Sequence, residues 1–113
     1  MEVFFHHIYE YQKGIRNLIL HSCFRKDLPI MMKKLNNEGI SYLVLPISKE
    51  KINIFFGDSE CIDVIKSIGK VSLKDFTPEE DFILGIMLGY DRKKECQRFL
   101  KLKNETNPIL KII

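Results

Sequence analysis

The sequence has no C-x-x-C pair, and its three cysteines, Cys23, Cys61 and Cys96, are odd in number and far apart. That spacing argues against a zinc ribbon or a disulfide framework and points to a reducing cytoplasm. Long hydrophobic runs are also missing: none approaches the roughly 20 residues that span a bilayer, so no membrane association is expected. The N-terminus "MEVFFHHIYE" lacks a basic stretch followed by an apolar core of about 7–15 residues, so we expect neither a secretory signal nor an anchor. There is no G-x-x-x-x-G-K, no G-x-G-x-x-G and no nucleophile elbow, the glycine patterns that cradle phosphates or present a nucleophile. No catalytic residue, metal or cofactor is therefore assigned, and the chain reads as a non-enzymatic protein. Internal repeats, low-complexity segments and dividing linkers are absent, which leaves one domain over 1–103 and a C-terminal tail over 104–113. With 45% hydrophobic residues, the 113-residue chain can bury a core without metals or disulfides.

What is there reads as α+β. From Val3 to Lys13 the pattern is aromatic and helical, with Gly14 able to end it, and "IRNLILHSC" (15–23) follows as a buried strand. Asp27 and Pro29 open a helix whose inner stripe is Leu28, Met31, Met32 and Leu35 and whose stop is Gly39. "ISYLVLPI" and "INIFFG", joined by "SKEK", predict a hairpin in which Pro46 ends its strand or lies on a sheet edge. Strand, helix and returning strand imply a right-handed parallel crossover, and hence a small mixed sheet of three strands. Asp58 or Ser59 starts a short helix with Ile62, Ile65 and Ile68 inward, and "TPEE" places a capping box at Thr77 and Glu80. The tail "NETNPILKII" is expected to fray or to dock through Ile109, Leu110, Ile112 and Ile113.

The stretch "FILGIMLG" (82–89) has no polar side chain, so a helix there is apolar on every face and needs cover all round. Gly85 and Gly89, four apart, suggest a flat strip for close backbone approach. Phe82, Gly85, Ile86 and Gly89 are accordingly the expected interface of a homodimer.

The next segment carries six cations and one acid in residues 92–103, a local charge of +5, so the other 101 residues sum to −2. Such polarity bears on partners and encounter rates rather than on fold. Helical spacing puts Lys94, Arg98 and Lys101 on one exposed face, with Arg92 on the side of Cys96 and Phe99. Arg92, Lys94, Arg98 and Lys101 form the expected partner-binding set, with Asp91 a candidate carboxylate for Arg92. Cys96, flanked by Phe99 and Leu100, reads as a small core residue. A cysteine-based sensor or small enzyme using Cys96 with His6 or His7 is the alternative, and these three residues are the candidate polar pocket. A basic helix is also the first requirement of nucleic-acid binding. However, neither a helix-turn-helix nor a stacking platform accompanies it. His6 and Glu10 have the i, i+4 spacing of two metal ligands, but a site needs three or four, and only His21 and Cys23 could add to them.

Together, "HHIYEYQKGIRNLILHS", "INIFFGD", "TPEEDFILGIMLGYD" and "CQRFLK" resemble a small bacterial family, domain of unknown function twenty twenty-three, over residues 3–101. The resemblance implies three strands, about five helices and a homodimer. It also implies a genomic context beside flavodoxin, an acidic electron carrier, and so a flavodoxin-like acidic partner for the basic face. It carries over no catalytic residue.

Overall fold

The computed structural model describes residues 1–106, in which five α-helices surround a three-stranded sheet. Glu2–Gln12 form α1, Leu18–Phe24 β1, Leu28–Asn37 α2, Ser41–Pro46 β2, Lys51–Gly57 β3, Ser59–Ile68 α3, Pro78–Met87 α4 and Arg92–Thr106 α5. Single 3₁₀ turns at Arg25–Asp27 and Leu73–Asp75 bridge two of the connections. The expected docking of Ile109, Leu110, Ile112 and Ile113 falls outside the described residues.

Strand order corrects the mixed sheet expected above. The order is β1-β3-β2, with both pairings antiparallel. β1 and β2 therefore run in the same direction, but β3 lies between them and no parallel pair forms. The physical reason is in β3 itself: every residue from Ile52 to Gly57 is buried. A strand apolar on both faces is most stable where neighbours pair with both of its edges. β2 ends at Pro46, which lacks an N–H and is tolerated on an edge.

Alternation along the strands sends side chains to two separate cores. On one face Ile19, Ile54 and Phe56 pack against Phe4 and Ile8 of α1 and Met31 and Leu35 of α2. On the other, Leu18, Leu45 and Phe55 meet Ile62 and Ile65 of α3, Leu84 of α4 and Leu88 at its C-terminal cap. Two helices thus cover each face in a three-layer arrangement, and α5 packs against α4. The polar residue in the centre, Asn53, is satisfied by Ser22, whose hydroxyl donates to its Oδ1 at 2.5 Å.

The end of β3 is set by Gly57, with φ +149°. Asp58 N–H donates to the carbonyl of Asn17 at 2.9 Å, and this closes the start of β1 onto β3. A Cβ at position 57 would overlap that same carbonyl oxygen, which is backbone and cannot swing aside. Gly57→Ala is expected to destabilise the fold by about 2–3 kcal/mol in urea unfolding. A change within about 0.5 kcal/mol would show that this closure is not needed.

Candidate functional site

Cap chemistry builds the α4–α5 hairpin. At the start of α4, Thr77 N–H donates to Glu80 Oε1 at 2.9 Å and Glu80 N–H donates to Thr77 Oγ1 at 3.2 Å, the reciprocal capping box expected from "TPEE". At its end Gly89 takes φ +81°, with Tyr90 N–H donating to Gly85 O. Asp91 then caps α5, accepting from Lys94 N–H at 2.9 Å. Its carboxylate therefore serves the helix end, not the Arg92 guanidinium.

The turn is short enough that α5 returns antiparallel along α4. Four cross-links record the register. Glu95 lies over Gly85, the Phe82 and Phe99 rings stand 5.6 Å apart, Arg98 donates twice to Asp81 at 2.8 and 3.1 Å, and Lys103 pairs with Glu79. Contact with α4 runs along one stripe, Glu95, Phe99 and Leu102, at helical i, i+4, i+7 spacing.

This register overturns two expectations. Cys96 is exposed rather than a small core residue, and the buried side chain beside it is Glu95, at 8% exposure. Gly85 permits it: a Cβ there would overlap the end of the Glu95 side chain and turn the carboxylate away from the α4 backbone. Gly85 is thus covered by a side chain of its own chain. Of the other expected interface residues, Phe82 is partly buried against Phe99, Ile86 is 40% exposed, and Gly89 forms the helix stop.

The two flanks of α5 differ in chemistry. One flank, with Phe82 and Ile83 of α4, forms an apolar groove of about 400 Å³ walled by Cys96, Phe99 and Leu100. Ile83 and Leu100 remain 44% and 56% exposed. The other flank carries Lys94, Arg98 and Lys101. Arg98 is committed to Asp81, whose carboxylate raises the guanidinium pKa above its ordinary value. Arg92, Lys94 and Lys101 are exposed and make no ion pair among the described residues.

The sheet keeps the histidines away from Cys96: α1 packs on one face, whereas α5 rides on α4 beyond the other. His6 is exposed. His7 Nδ1 is buried without a hydrogen bond, and Glu10 Oε1 at 3.5 Å is close enough for an ion pair but poorly placed to accept a proton. The His21 ring meets His7 edge-on at 5.5 Å, and burial first, then the proximity of His7, lower its pKa below 6.5. Among the described residues, no three ligand-type side chains converge on a possible metal position, and no helix is long and apolar enough to cross a membrane.

Glu95 was within reach of sequence reasoning. It is the lone acid in the basic run and falls on the Phe99 and Leu102 stripe, but charge alone assigns it to solvent. Glu95 is mostly buried and no described residue donates a hydrogen bond to its carboxylate, so replacing it with an apolar side chain of similar length, Glu95→Met, is expected to stabilise the fold by about 1 kcal/mol in urea. A loss of stability instead would mean that the carboxylate is held by a favourable contact. The depressed His21 pKa means that the unfolded chain binds this proton more readily. Its contribution is complete above pH 6.5 and is lost as pH falls through the folded value. Thermal unfolding between pH 6.5 and the carboxylate range should show this loss, with a shallower slope for His21→Gln; equal slopes would remove His21 as the cause.

A search of curated proteins finds no match. The family model described as "Protein of unknown function (DUF2023)" matches residues 2–102, from α1 through most of α5. That match spans every strand and both halves of the α4–α5 hairpin, and the chain belongs to this family.

Proposed function

We propose that the protein is a non-catalytic binding module of the bacterial cytoplasm that self-associates through the apolar flank of the α4–α5 hairpin. Its basic flank docks an acidic protein. The observation that carries the reading is the contrast between the flanks. Ile83, Ile86 and Leu100 leave apolar surface beside an open groove, a surface that a second copy can cover by a two-fold contact. On the other side, Lys94 and Lys101 offer charge that no acid of the described chain neutralises.

Arg98 differs from these two lysines in this arrangement. Its bidentate bond to Asp81 ties the two helices together, leaving Lys94, Lys101 and, at the helix start, Arg92 to attract a partner. Exposed charges of this kind raise the rate of encounter more than the final affinity. A flavodoxin-like acidic redox protein, implied by the family resemblance, has the matching sign.

Light scattering across a dilution series is expected to give a dimer mass for the wild type and a monomer mass for Leu100→Asp. The double variant Lys94→Glu, Lys101→Glu should remain dimeric but associate with an acidic flavodoxin about tenfold more slowly at low salt, with a weaker salt dependence. Unchanged association rates would remove the basic flank as a docking face, and a monomeric wild type would remove the self-association.

A further inference from the structure

On the flank of α5 opposite the apolar groove lies a second cavity, of about 250 Å³, between β1, α4 and α5. Leu20, Leu73 and Leu88 supply apolar wall, and Tyr90, half exposed, stands at the rim. The one side chain in it that is both charged and more than nine-tenths buried is Glu95. Among the described residues nothing donates a hydrogen bond to its carboxylate, and it has no ion-pair partner within salt-bridge distance. The nearby Arg98 is directed to Asp81 by two hydrogen bonds.

A carboxylate is an acceptor with no donor of its own, and the Glu95 oxygens, unlike His7 Nδ1, are not sealed from solvent, so they stand open to a donor entering the cavity while Arg98 is the nearby cation that favours their charge. Gly85 makes the arrangement possible by leaving out the Cβ that would push the carboxylate away. Two acids and one cation line the cavity, Asp81 and Glu95 against Arg98, which leaves one unbalanced negative charge. An anion would be repelled. A purely apolar guest would leave the carboxylate unsatisfied. A metal ion would need several oxygen ligands, but Glu95 is the one carboxylate free to supply them, since Asp81 is already engaged by Arg98. A cationic N–H donor on an apolar body satisfies the charge, the acceptor and the walls together.

We propose that this cavity binds a small organic cation, an ammonium or amidinium group on a hydrophobic body, with Glu95 as its acceptor. The same group could come from a free amine or from the lysine side chain of a peptide. The cavity shares the basic flank, where Arg98 lines it, but the proposal rests on Glu95, which neither self-association nor the docking of an acidic protein by Lys94 and Lys101 uses.

The test is an amide proton–nitrogen correlation titration of the full chain with phenethylammonium and, separately, with Nα-acetyllysine methylamide. The neutral 2-phenylethanol is the control. Saturable shifts are expected at Gly85, Tyr90 and Glu95 with at least one cation, and the tighter of the two identifies the source. Binding should weaken at least about tenfold in Glu95→Gln, which keeps the shape and removes the charge. It should weaken similarly in Gly85→Ala, whose Cβ displaces the carboxylate while favouring the helix, so the melting temperature should not fall. Absence of saturable shifts with both cations would overturn the proposal. So would 2-phenylethanol binding as tightly as phenethylammonium, or Glu95→Gln binding as tightly as the wild type.

Discussion

The pairing of β3 with β1 on one edge and β2 on the other fixes where every helix can lie. Because β3 is buried on both faces, the sheet needs cover above and below, and the described residues supply five α-helices with which to provide it. The helices α1 and α2, interleaved with β1 and β2, cover one face. The other receives α3 and α4, which follow β3 in sequence, and α5 is left to pack chiefly on α4. A helix held mainly by one neighbour keeps most of its circumference in solvent. The unlike flanks of α5 are a direct result.

That geometry also explains how one end of the molecule can tolerate features that would be costly in the main cores. The sheet cores are apolar apart from Asn53, which has Ser22 as its partner. At the α4–α5 contact an acid is buried against a glycine, an arginine is used to hold two helices together, and isoleucine and leucine stay half exposed. Local choices that disagree with the general pattern of burial mark places where a sequence serves more than folding. On the α4–α5 hairpin three of them occur together, although exposed apolar side chains such as Ile15, Ile30 and Val71 are also found elsewhere on the surface.

The histidines illustrate the opposite case. His7 and His21 meet at the edge of the α1 core, and the lowered His21 pKa follows from burial beside another histidine. The contribution of His21 is to stability as a function of pH. The intervening sheet separates them from Cys96, so proximity in composition did not become proximity in space.

Secondary structure was legible in the sequence wherever a local rule decided it. Thr77 and Glu80 capped α4 as their spacing implied, Pro46 ended an edge strand, and the "SKEK" loop joined a hairpin. Family membership was equally legible, since the quoted strings are local and cover most of the chain. Strand order was less so: a strand, a helix and a strand favour a parallel crossover, but the doubly apolar β3 takes the central place and makes the sheet antiparallel. Residue types also could not say which side of α5 would turn inward, because Cys96 looks more buriable than Glu95. Only the antiparallel register against α4, with a missing Cβ at Gly85, placed the acid inside and the thiol outside. The sequence by itself therefore determined the elements and their caps, which depend on neighbours a few residues apart. The tertiary structure alone decided strand order and the buried face of α5, because both depend on contacts between elements that no local spacing encodes.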